Sequence, residues 1–112
     1  MKIVNREEFL KLPSDTLFSL YTPSYFGEIT IKGDTILPND FRYQDINEAV
    51  DCRSSEEFST ILHSAQENGT SFKMDFQCWS RDGLYDNDQL YAVWDNDDVK
   101  ALIVRLNKII EK

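Results

Sequence analysis

The chain has 112 residues, with twenty acids against twelve bases for a formal charge of −8, and it is 41% apolar and 12% aromatic. That length suits one domain spanning residues 1–112, and so many large side chains exclude a disordered chain. The charge disfavours direct binding to nucleic acid or anionic membrane and favours basic surfaces, and the longest aliphatic run, AlaLeuIleVal at 101–104, is far short of the ~20 residues that cross a bilayer.

Residues 3–13 read as a short first helix. Asn5 is a good N-cap with Glu8 three residues on, Val4 and Phe9 sit at the two positions of a hydrophobic staple, and Pro13 stops the helix. Residues 16–36 read as a hairpin about the turn-prone ThrProSer at 22–24, with Glu28, Thr30 and Lys32 alternating as a wet face against Ile29 and Ile31. Pro38, Asn39 and Asp40 break the chain before a third strand at 41–46, whose edge could pair two copies.

A second helix is expected over residues 55–68. Ser54 and Glu57 form a capping box, Phe58, Ile61, Leu62 and Ala65 make an apolar stripe, and Gly69 closes the end. The run SFKMDFQCW at 71–79 alternates as a half-buried strand, and QLYAVW at 89–94 reads as its antiparallel partner after a turn at Asp82-Gly83. A final amphipathic helix puts Val99, Leu102, Ile103, Leu106, Ile109 and Ile110 on one face. The order αβββαββα, joined by hairpins, implies an α+β fold: an antiparallel sheet of four or five strands with helices packed on one face.

Catalytic signatures are not found. His63 is the only histidine and falls on the polar side of the second helix, and there is no GxSxG, GxxxxGK[ST] or GxGxxG run. No cofactor and no metal are expected. The Asp-rich segments resemble the start of a calcium loop, but counting from Asp86 puts Tyr91 where the loop needs glycine and Asp97 where it needs a bidentate glutamate. Cys52 and Cys78, far apart and without CxxC spacing, read as buried free thiols of a reducing compartment. The first dozen residues carry Lys2, Arg6, Glu7, Glu8 and Lys11, so a secretory signal is not indicated, and a cytoplasmic protein is expected in which the Asn68-Gly69-Thr70 triplet is a chance glycosylation match.

One stretch resists a purely structural reading. From Asp82 to Asp98 there are six aspartates, Asp82, Asp86, Asp88, Asp95, Asp97 and Asp98, and no base, with Tyr85, Tyr91 and Trp94 interleaved. Turn and helix-cap roles are available to each acid. Gathered at one end of a small domain, however, six carboxylates would match the charge spacing of a nucleic-acid backbone and could occupy a basic groove, with the aromatics as anchors.

The runs FLKLPSDTLFSLYTPSYFGEITIKGDT and RDGLYDNDQLYAVWDNDDVKALIVRLNKII, which together span most of the chain, resemble small uncharacterised acidic proteins encoded by tailed phages and prophages. The resemblance carries over no functional residue. It implies a context in which small acidic proteins bind and disable a host nucleic-acid enzyme or defence complex. The leading expectation is therefore a non-enzymatic inhibitor that occupies the basic surface of a host nucleic-acid-binding protein. The alternative is a domain binding a small molecule or metabolite in an aromatic-lined pocket between sheet and helices.

Overall fold

A computed structural model describes all 112 residues. It is an α+β fold built on one antiparallel sheet. The elements are β1 (Lys2–Asn5), α1 (Arg6–Leu10), β2 (Thr16–Thr22), β3 (Tyr25–Phe26), β4 (Thr30–Ile36), β5 (Asp40–Asp45), α2 (Ser55–Asn68), β6 (Ser80–Arg81), β7 (Leu90–Val93) and α3 (Asn96–Glu111). Six strands lie in the order β1-β7-β2-β4-β5-β6, and β3 pairs with β2 off that path. The sheet is therefore larger than the four or five strands expected.

The first element shows why. Asn5 caps α1, accepting from the Glu8 N–H at 2.9 Å, but its own backbone is extended. The chain ahead of a cap is free to pair, and Lys2–Asn5 forms an edge strand against β7 where the sequence reading had a helix. The staple survives the correction: Val4 and Phe9 are both buried. β7, expected to pair with 71–79, instead lies between β1 and β2, with Tyr91 opposite both Val4 and Leu20.

The core face of the sheet gathers Val4, Phe18, Phe41, Tyr91 and Val93, closed by Phe9 from α1. Phe9 stacks on Tyr91 at 4.0 Å and 6° and meets Phe18 and Phe41 edge-on at 4.7 and 5.0 Å, geometries that add to the burial of each ring. The hairpin alternation is inverted relative to its sequence reading. Thr30 and Lys32 lie on this core face, because Thr30 pairs with Phe18 and Lys32 with Tyr43. Lys32 is fully buried, and its ammonium donates to the carbonyls of Leu12 and Gly33 and to Thr35 Oγ1 at 2.9–3.0 Å, so its desolvation is compensated and burial lowers its pKa.

Residues 71–79 are not a strand. Met74 forms only an isolated bridge to Val50, and Asp75 accepts the Gln77 N–H at 2.9 Å in a turn that interrupts any ladder. Phe72, Met74 and Phe76 are exposed, and the nearest ladder is that of Ser80–Arg81 against β5. Cys52 and Cys78 are free, as expected, but Cys78 is exposed and Cys52 half-buried. α2 matches its expected span: Ser54 Oγ accepts the Glu57 N–H at 3.1 Å, and Gly69 at φ 69° donates to the Ala65 carbonyl.

Only α1 seals the core face. Neither α2 nor α3 contributes a buried residue, which departs from the expectation that the helices cover the sheet. With fifteen of 112 residues buried, stability rests on the aromatic cluster and the ladders rather than on helix packing. No helix is long and apolar enough to cross a membrane.

Candidate functional site: an acid-rimmed cleft beside the aromatic core

The segment from Asp82 to Gln89 carries the chain from β6, at one edge of the sheet, back to β7 beside β1. Two buried polar side chains fasten its start. Asp40, at the head of β5, accepts the Gly83 N–H at 3.0 Å, the Phe41 N–H at 2.9 Å and the Arg81 Nε. Burial alone would raise its pKa; the Arg81 guanidinium and the two N–H donors outweigh that and hold it down at about 2. Arg6, 3% exposed, donates to Asn39 Oδ1 at 2.8 Å, the Asn39 carbonyl at 2.7 Å, the Tyr91 hydroxyl at 2.7 Å and Asp82 at 3.3 Å. Its guanidinium also lies 5.5 Å from the centre of the Phe41 ring.

Beside this anchored turn, on the core face, lies an open cleft of about 470 Å³. Phe18, Phe41, Tyr43, Leu20 and Leu84 supply its apolar walls, and Glu28, Asp45 and Asp82 its only ionisable acids. Asp82 is engaged by Arg6. Glu28 and Asp45 have no ion-pair partner, and Asp45 is held in place by accepting the Asn47 and Glu48 N–H groups. The negative charge of Asp45 pushes the Glu28 carboxyl up, with burial and Glu48 adding to it. An acid raised by like charge is relieved when a cation enters. The cleft therefore pairs uncompensated negative charge with an aromatic floor.

The acidic stretch singled out in the sequence does not form one patch. Asp86 and Asp88 precede β7 and Asp95, Asp97 and Asp98 follow it, so the strand separates the two groups by up to about 20 Å of extended chain. Several of the six are also occupied. Asp82 is ion-paired and its side chain only 11% exposed, and Asp86 accepts the Asp88 N–H at 3.0 Å in an Asx turn. Asp95 caps α3 by accepting the Asp98 N–H at 3.0 Å, and both Asp95 and Asp98 take the terminal ammonium of Met1. The Asp98 N–H and then that ammonium lower the Asp95 pKa. Asp88 and Asp97 are exposed without an ion pair.

Among the aromatics, Tyr91 is 1% exposed and stacked in the core, so it cannot anchor a partner. Trp94 is half-buried, with its indole nitrogen covered and unbonded, and Tyr85 is exposed at φ 53° with its hydroxyl accepting from Arg81. Of the predicted residues, only Asp82 lines the cleft. Glu28, from the link between β3 and β4, and Tyr43 and Asp45, from β5, were missed because strand pairing, not closeness in sequence, brings them together. The one available signal was Glu28 directly after Gly27, an acid at a strand entry. Comparison of the chain with protein-family models, with curated proteins and with solved structures gave no match.

Proposed function

We propose that this protein is a non-enzymatic acidic interaction protein that occupies a basic, nucleic-acid-binding surface of another protein, taking a lysine or arginine side chain of that partner into the Glu28–Asp45 cleft. One observation carries the reading: two carboxylates without a cation stand at the mouth of an aromatic-walled cleft, one of them raised by the charge of the other. A basic side chain would satisfy both features, its charge the carboxylates and its apolar stem the walls of Leu20 and Tyr43. Exposed Asp86 and Asp88 belong to the loop that also supplies Asp82 and Leu84 and extend the negative field on that side of the cleft, where Tyr85 of the same loop adds an exposed ring. The resemblance to small phage proteins agrees with an inhibitor's role. A small cationic metabolite would meet the same chemistry in the same cleft and is the second reading.

The test uses N-acetyl-arginine amide and spermidine as probes, with binding followed by amide chemical shifts of the isotope-labelled chain. Arginine amide is expected to shift Asp45, Tyr43 and Leu84 resonances, with an affinity that weakens as salt rises and as pH falls through the range in which the raised Glu28 carboxyl takes up its proton. Glu28→Gln with Asp45→Asn should abolish these shifts and flatten the salt dependence. Saturable binding of spermidine alone favours the metabolite reading. Binding by neither probe, or binding indifferent to the double substitution, removes the cleft from consideration.

A further inference from the structure

α3 is the least explained element of the fold. Its first turns touch the body, with Val99 and Leu102 half-buried, yet every residue from Ile103 onward is exposed, including Ile103, Leu106, Ile109 and, at 81%, Ile110. The helix is 16 residues long, so it spans about 24 Å, and more than half of that length carries apolar side chains into water. A helix with one apolar stripe and no surface to lay it on is incomplete as it stands.

The size of the deficit can be estimated. A compact monomer of 13.1 kDa exposes about 6,400 Å², whereas this chain exposes 8194 Å², an excess of about 1,800 Å². The radius of gyration is 16.0 Å, against about 13 Å for a compact chain of this length. A stable pairwise interface buries about 800 Å² on each partner; the excess here is shared among α3, α2 and the exposed Phe72, Met74 and Phe76, and α3 supplies five of the exposed large apolar side chains, Ile103, Val104, Leu106, Ile109 and Ile110.

Charge sets the direction in which a second copy would lie. Residues 99–112 hold Lys100, Arg105, Lys108 and Lys112 against Glu111 alone, a net +3 on a chain whose total is −8. A parallel pair of these segments would set like charges side by side. Antiparallel pairing relieves this at the two ends of the contact and leaves Arg105, on the other flank of the stripe, nearest its own copy. At 100° per residue, Val99, Ile103, Leu106 and Ile110 form the centre of the stripe, and Lys100 and Glu111 flank it on the same side about three turns apart. Two α3 helices running in opposite directions thus bring Lys100 of each copy beside Glu111 of the other, while the helix dipoles also oppose. The contact is self-complementary about a twofold axis and leaves no unpaired copy of the surface.

We infer that α3 is the homodimerisation element of this protein, pairing antiparallel with α3 of a second copy through Ile103, Leu106 and Ile110. Sedimentation equilibrium of the full chain, from low to high micromolar concentration, should give a mass of twice 13.1 kDa. Leu106→Glu, at a position already exposed on the single chain, should give the monomer mass with unchanged circular dichroism. Val104→Glu, at a position more exposed than Leu106 but off the stripe, should leave the dimer intact. Glu111→Lys should weaken association by tenfold or more, and adding Lys100→Glu should restore it. A wild-type monomer at every concentration, a species larger than two copies, a dimer indifferent to Leu106→Glu, or failure of the charge swap to rescue would each overturn the proposal.

Discussion

Asp40 offers a sharp test of how the cleft's supporting turn is held. Its side chain is 2% exposed and ties β5 to Arg81 and Gly83. Its ordinary pKa of 3.8 falls to about 2 in the folded chain. Because the folded value is the lower one, the native carboxylate stays ionised where the unfolded chain has begun to bind a proton. The stabilisation is therefore complete above the unfolded value of 3.8 and is lost as pH falls through about 2. The difference corresponds to about 2 kcal/mol, an upper figure because the Arg81 side chain is 59% exposed and screened by water. The assay is urea unfolding of wild type and Asp40→Asn at a series of pH values, with sucrose present throughout to keep a folded baseline. At pH 7 the variant should be less stable by about 2 kcal/mol, and the gap should shrink below about 1 kcal/mol near pH 2.5. A gap that stays constant across the series would show that Asp40 does not carry this linkage.

Two further outcomes test the scaffold. Arg6→Ala strands the Tyr91 hydroxyl and the Asp82 carboxylate in a buried site and should cost about 3–5 kcal/mol, whereas Tyr91→Phe removes one acceptor and should cost about 1–2 kcal/mol, both read from urea midpoints. For α2, Ser54→Ala should cost about 1 kcal/mol through the lost cap, and Gly69→Ala a similar amount through the left-handed φ of 69°, with amide exchange rising across 55–68 if the caps hold the helix as described.

Where local chemistry decides structure, the sequence was legible. α2 has the expected span and α3 lies where the last apolar stripe put a helix, because Ser54, Gly69 and Asp95 satisfy helix ends with groups adjacent in the chain. The strands were harder, because alternation states a period and not a partner. SFKMDFQCW alternates nearly perfectly, yet it gains a single bridge, Met74 to Val50, before Asp75 turns the chain. Glu28, Thr30 and Lys32 alternate as a solvent face should, yet the register sets Thr30 opposite Phe18 and Lys32 opposite Tyr43, and the buried ammonium is made tolerable by the carbonyls of Leu12 and Gly33 and by Thr35 Oγ1. The site followed the same rule. Six aspartates close in sequence were divided by a strand, while Glu28, Asp45 and Asp82, distant in sequence, were gathered by pairing.

The residues that hold the fold also shape the cleft. Arg6 reaches from α1 to Asp82 and Tyr91, so the helix that seals the aromatic core also fixes one acid at the cleft. Asp40 ties Gly83 to the head of β5, next to Leu84, which forms part of the wall. A loop pinned at adjacent residues by two buried charged side chains has little freedom left to lose when a ligand arrives, and binding to such a site forfeits less conformational entropy. Glu28 and Asp45 differ in that no cation neutralises them, and their mutual repulsion is the part of this arrangement that folding alone does not resolve. Weakening Arg6 or Asp40 should therefore loosen the turn beside the cleft and, under the proposed function, lower the affinity for arginine amide in the chemical-shift assay even where Glu28 and Asp45 are untouched.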